Sequence, residues 1–192
     1  MGTSSAVTDR PDSRPESAAG VLAAARASRR AADREEANLC RLAVEWVVMH
    51  PEDALHEAAT YLDRGGNETG LGLAGEGAPT VAEYAVAEFA AAVGLATEAG
   101  KWFLGECLEL RYRLPRHWDM LTSGQVPAWK ARRVARETLR LSPEAAGFVD
   151  QNVAPVAGKI RPAQLDRTIH EAIGRYMPEE GARQYFCVSS SR

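Results

Sequence analysis

The chain has 192 residues, 45% of them hydrophobic and 7% aromatic, and a net charge of −3 at pH 7. That length suffices for one domain with a real core and flexible ends, and no stretch approaches the roughly 20 apolar residues of a membrane span. Three scattered cysteines, Cys40, Cys107 and Cys187, argue against a disulfide framework; with no signal peptide in the polar start, a soluble cytoplasmic protein is expected.

Abundant alanine and the lack of alternating β-branched runs predict an all-α fold, an irregular bundle of six to eight helices. Residues 1–17 are polar and proline-bearing and are expected to be disordered. A helical domain is expected over 18–177. Ser17 is placed to cap a long helix through Ala18–His50, stopped by Pro51, with Leu39, Ala43, Trp46 and Val47 on one face. A shorter helix is expected at Glu52–Leu62, carrying Leu55, Ala58, Ala59 and Leu62. The glycine-rich stretch 63–79 then predicts a linker or mobile loop.

Thr80 and Glu83 have the spacing of a capping box, followed by a stripe of Val81, Ala85, Phe89 and Ala92 that Gly94 ends. Thr97 is expected to cap the next helix, through about Arg113, with Ala99, Phe103, Cys107, Leu110 and Leu114 on one face. Pro115 interrupts, a short helix holds Trp118 and Leu121, and Ser123–Gly124 turns the chain. Pro127 suits the first position of a helix running to about Leu141. Ser142-Pro143-Glu144 repeats the start signal, and Pro155 with Gly158 ends that helix. Pro162 opens the last one, striped by Leu165, Ile169, Ala172 and Tyr176. Residues 178–192 read as a short irregular tail, whose Tyr185–Val188 run has no partner strand.

The catalytic motifs fail on spacing. His56-Glu57 and His170-Glu171 begin like a zinc-protease helix, but Thr60 and Gly174 stand where the second histidine must share the helical face. No histidines or cysteines cluster at metal-ligand spacing. Gly70, Gly72 and Gly75 spell a dinucleotide-type pattern, yet no strand precedes them to aim a helix N-terminus at a pyrophosphate. No nucleophile has a base beside it. Neither catalytic residues, nor a metal, nor a cofactor is expected.

Charge is the stronger signal. From Arg111 to Arg140 there are 8 Lys/Arg and 2 Asp/Glu, a local balance of +6 in an acidic chain, and such a segment is a candidate footprint for an anionic partner, nucleic acid first. On the helix from Pro127, Ala128, Ala131, Ala135 and Leu139 can face the core. Lys130, Arg133, Glu137 and Arg140 then fall outward, with Arg132 and Arg136 flanking and Trp129 among them. A solvated arginine face is the plainer alternative. Arg111, Arg113 and Arg116 are candidates to extend the surface. The helix–Gly94–Leu95–Ala96–Thr97–helix pattern has helix-turn-helix length, but its second helix opens on Glu98, Ala99, Gly100, Lys101 and Trp102. Only Lys101 suits DNA there, and an ordinary packed hairpin is the simpler expectation.

The segment HWDMLTSGQVPAWKARRVARETLRLSPEAAGFVDQNVAPVAGKIRPAQL, with VPAWKARRVA as its most specific part, resembles an actinobacterial family, domain of unknown function 222 (the 13E12 repeat proteins). The likeness extends from about Ala31 to Pro178 and includes AADREEANLCRLAVEW and PTVAEYAVAEFAAAVGLAT. In that family this helical region precedes an HNH endonuclease domain. The family's helical region has no established biochemical role to carry over; taken with the charge pattern, the leading expectation is a non-catalytic helical domain, similar to that region, that helps a nuclease reach or hold DNA. The nuclease's histidines and paired cysteines have no counterpart here, because no histidine follows His170 and Cys187 stands alone. No catalytic residue carries over, and the switch to QYFCVSSSR reads as a truncated or frame-shifted end. The alternatives are a helical module that binds a protein partner or itself, or a remnant without function.

Overall fold

Ser17 begins the described structure as expected: its Oγ accepts from the Gly20 N–H at 3.1 Å, satisfying one orphan donor of a helix start. The computed structural model describes residues 17–52 and 70–179. The helix expected over 52–62, most of the N-terminal segment, residues 63–69 and the tail from 180 onward lie outside the described residues. Among the described residues there are seven α-helices: α1 (Ala18–Met49), α2 (Glu83–Ala92), α3 (Thr97–Tyr112), α4 (Pro115–Thr122), α5 (Ala128–Thr138), α6 (Pro143–Val153) and α7 (Pro162–Tyr176). A 3-10 turn at Ala154–Val156 follows α6. The all-α bundle is thus the observed fold. The described residues divide into two units, 17–32 and those from 33 onward. In the first, the described part of α1 is almost wholly exposed.

In the second unit α3 is the axis. Its eight residues Phe103–Leu110 are all buried, two full turns enclosed on every side, and α2, α4 and α5 pack against it. The α2–α3 pair packs as a hairpin whose second helix is enclosed from Phe103 onward, which leaves Glu98, Ala99 and Trp102 of its first turns exposed. Gly100 makes that packing possible, since a Cβ there would meet the Ala90 Cβ at 2.5 Å. Helices α6 and α7 pair with each other and lean on α5. The core is aliphatic, from Val47, Val86, Leu104, Leu108, Leu114, Leu121 and Val149 to Leu165.

Two expected caps are differently placed. Val81 forms an antiparallel bridge with Leu71, exchanging hydrogen bonds of 2.8 and 3.0 Å. That bridge holds the chain extended until Ala82, the true N-cap, and frees Thr80 to donate to Glu52 Oε2 at 3.1 Å. After α2, Gly94 adopts φ 73° and the Leu95 N–H bonds back to Ala90 O, a Schellman-type stop. Ala96 is the extended N-cap and Thr97 already lies inside α3. Pro127 is N-cap rather than first helical residue. Ser142 caps α6 as expected, its Oγ accepting from the Ala145 N–H at 3.3 Å. Ala92 and Ala99, expected in the core, are exposed at the ends of their helices that meet this turn.

Residues 70–79 form a loop packed on the bundle. Leu71, Leu73 and Ala74 rest on the core, and a Cβ at Gly105 would meet Leu73 O at 2.3 Å. Gly75 sits against Arg113, whose Nη1 lies 1.6 Å from where a Cβ would be. At that position the glycine pattern serves close approach, with no helix N-terminus waiting for a phosphate.

Candidate nucleic-acid interface

At 100° per residue, α5 buries Ala128, Ala131, Val134, Ala135 and Thr138 and turns a single arc outward. Around that arc come Arg132, Arg136, Trp129, Arg140, Arg133, Glu137 and Lys130, none of them buried. The sequence therefore placed the inner and outer faces of this helix well; Leu139 is half-buried. The structure adds how each charge is held.

Arg132 and Arg136 both grip Glu106 of α3, a fully buried carboxylate. Arg132 Nε donates to Oε2 at 2.6 Å, and Arg136 donates to Oε1 from Nε at 2.7 Å and from Nη2 at 2.5 Å. Arg132 also lies over the Phe103 ring, 4.5 Å from its centroid. One carboxylate faces two guanidiniums, so a unit of positive charge is left over, and the Arg136 side chain remains 58% exposed. Arg133 and Arg140 take part in no ion pair among the described residues. Lys130 Nζ donates to Gly158 O and lies 5.4 Å from the Trp129 ring centroid.

Arg113 does not belong to this surface. It is buried, and its Nη1 donates to both oxygens of Glu109 at 2.8 and 2.9 Å, while Nη2 donates to Leu141 O. Glu109 Oε2 also accepts from the Gly75 N–H at 3.1 Å. This node ties α3, the residues just past α5 and the 70–79 loop together, so Arg113 is a structural clamp. Lys101 pairs with Glu98 at 3.0 Å. Arg111 is exposed over the Tyr112 and Trp118 rings, at 5.8 and 6.0 Å. Arg116 is exposed on α4, its N–H bonded to Asp150 Oδ2 at 3.1 Å. The expected cationic cluster thus separates into the α5 arc, a buried clamp and scattered surface charge.

Two concave features flank the arc. On one side an open groove of about 850 Å³ is lined by Leu39, Cys40, Val93, Phe103 and Leu139 and by exposed Leu95 and Trp102, with Arg132, Arg136 and Arg140 facing Glu36 and Glu137. On the other side, a cleft of about 170 Å³ lies between the first turn of α5 and the start of α7; Trp129, Lys130, Arg133 and Arg161 line it, over Val134, Ile160 and Leu165. No acidic residue lines that cleft. Neither helix start beside it has an acidic residue in its first turn, so the N-terminal dipole ends add to the positive potential.

Several buried polar groups gave no signal to a motif search. Besides Glu106 and Glu109, His117 and Asp150 are buried together, Nδ1 and Oδ1 2.6 Å apart. Asp150 also accepts from the Arg116 and His117 N–H groups at the start of α4, which makes it a cap supplied from α6. A glutamate inside an apolar helical face, with arginine four residues on, was the available clue at Glu109–Arg113. Cys40 and Cys107 are both buried; burial pushes the Cys107 thiol well up, and the hydrogen bond with Cys107 pulls Cys40 down. Among the described residues no group of three His, Cys, Asp or Glu side chains could hold a metal ion, and no helix is long and apolar enough to cross a membrane. His170 is exposed, its Nδ1 2.7 Å from Asp166 O. Comparison with family models, characterised proteins and solved structures finds no match to this chain.

Proposed function

We propose that this helical domain is a non-catalytic module that holds nucleic acid by its phosphate backbone through the outward face of α5. The observation that carries this is the arc itself. It bears Lys130, Arg132, Arg133, Arg136 and Arg140 against Glu137 alone, on a helix whose other side is locked into the core. Glu106 offsets one of those charges and fixes two arginines in place, leaving the face net positive. Backbone contacts of this kind position a partner and read no sequence. The proposal extends to an accessory role beside an HNH nuclease, the setting of the region that residues 31–178 resemble in sequence.

Lys130, Arg133 and Arg140, which lack acidic partners, predict weak binding, with a log–log salt slope of about −2.7 for duplex DNA. The test is a salt titration of oligonucleotide binding by the wild type and by Arg133/Arg140→Ala. The double variant is expected to flatten the slope by about 1.8. Equal affinity and equal slope for the two proteins would end this reading.

A second reading is favoured by the groove on the other side of α5: docking of an acidic, amphipathic segment of a partner protein. Leu95 and Trp102 are exposed there beside Arg136 and Arg140, so apolar contact and positive charge meet in one feature. Titration with a Glu/Leu-rich helical peptide should blue-shift the Trp102 emission. No shift on saturation, or the same shift in Trp102→Phe, removes this second reading.

A further inference from the structure

We propose that the cleft beside Trp129 is a base-stacking subsite, so that the partner of α5 is single-stranded nucleic acid in preference to duplex. The proposal rests on the phosphate-holding reading of α5 and adds to it the chemical form of the partner.

The cleft joins three properties that a bare phosphate site does not need together. Trp129 is 52% exposed in the first turn of α5, although the neighbouring positions Ala128 and Ala131 are buried. Lys130, Arg133 and Arg161 surround it with positive charge from two helices, and no carboxylate lines the cleft. Val134, Ile160 and Leu165 give it an apolar floor, and its volume of about 170 Å³ suits one planar ring rather than a peptide segment. An indole offers a π face to any base, which makes such stacking tolerant of sequence. The three cations are placed to meet the phosphates on either side of the stacked base. Lys130 is tethered to Gly158 O, which holds the charge beside the ring instead of letting it range freely.

Duplex bases are already stacked on each other, and exposing one requires unstacking that this small cleft does nothing to reward. A single strand presents bases at no such cost. The same geometry distinguishes the ligand from a simple polyanion, because polyphosphate would meet the cations but leave the indole unused.

Three probes separate the outcomes: an oligothymidylate of roughly 10 nucleotides, a duplex of the same length, and inorganic polyphosphate. Each is titrated against the full chain as wild type, Trp129→Ala and Trp129→Phe, with circular dichroism to verify the fold. The expected result is that the wild type prefers the single strand. Trp129→Ala should weaken that binding roughly 5- to 150-fold, and Trp129→Phe should restore much of it. Polyphosphate binding should be unchanged in both variants. If all three probes bind but Trp129→Ala binds the single strand as well as the wild type does, stacking is overturned and the backbone reading stands. If the duplex binds as tightly as the single strand, the preference is overturned. If none of the probes binds, both readings fall together.

Discussion

Glu106 and Glu109 stand three residues apart on α3, both fully buried and both held by arginine, yet they do opposite things for the molecule. Glu109 has one arginine, Arg113, whose guanidinium is sealed inside and also donates to Leu141 O and Thr138 O, while its buried Nε–H has no partner among the described residues. Charge is matched one to one, and the node's work is cohesion. Glu106 has two arginines, both reaching solvent, with 29% and 58% of their side chains exposed. Charge is unmatched, and the surplus is displayed on the outward face of α5. The same pair of residue types becomes a clamp or a presented charge according to whether the far side of the guanidinium meets backbone carbonyls or water. Desolvation explains why the clamp must be complete: a buried charge without its partner is far more costly than an exposed one.

The sharpest way to break the comparison is Glu109→Gln. It leaves Arg113 buried without its counter-charge, and a loss of about 3 kcal/mol is expected, lowering Tm by roughly 10 °C in thermal unfolding. Polyanion binding at a temperature where the variant is folded should not change. A Tm within a degree or two of wild type would show that the node is not a clamp. Gly75→Ala attacks the same node from the loop. Its Cβ would collide with Arg113 Nη1 and lie 2.9 Å from Leu139 O, neither of which is free to move. A destabilisation of roughly 1–3 kcal/mol is expected, and it should be less than additive with Glu109→Gln, because both act on one network. Full additivity in chemical denaturation would separate the loop from the clamp.

Glu106→Gln is the mildest of the three and the most informative about the surface. Both arginines can turn to solvent, so stability should fall by only about 1–2 kcal/mol. The face gains one net positive charge, worth about 0.6 kcal/mol at 7 Å in water, and oligonucleotide binding should tighten about threefold. A stability loss as large as that of Glu109→Gln, with no gain in binding, would make the two nodes equivalent.

How much of this was legible in the chain depended on the range of the interaction. The helices were legible because each carries its own period and its own stops: Ser17 and Ser142 cap where expected, and Pro115, Pro143 and Pro162 open helices at their own positions. The outward arc of α5 was legible for the same reason. The caps at Thr80 and Thr97 were misjudged because a bridge to Leu71 and a turn at Gly94 decide where those helices begin, and the first of these joins residues ten apart in sequence. Among the site residues, Arg113 read like its neighbours Arg111 and Arg116; Glu109 four residues before it was the one local clue, and an i,i+4 pair of that kind occurs on exposed helix faces as readily as on buried ones.

Periodicity, capping residues and the concentration of positive charge between Arg111 and Arg140 were properties of the sequence by itself, because each is set within a turn or two of helix. Which arginines are spent on holding the bundle together, and which face outward beside Trp129, was decided only when α3 closed against α5, the 70–79 loop and the residues leading into α6. Electrostatic roles are fixed by partners and by the removal of water, and both arrive from residues as much as 38 positions away, as Gly75 does for Arg113.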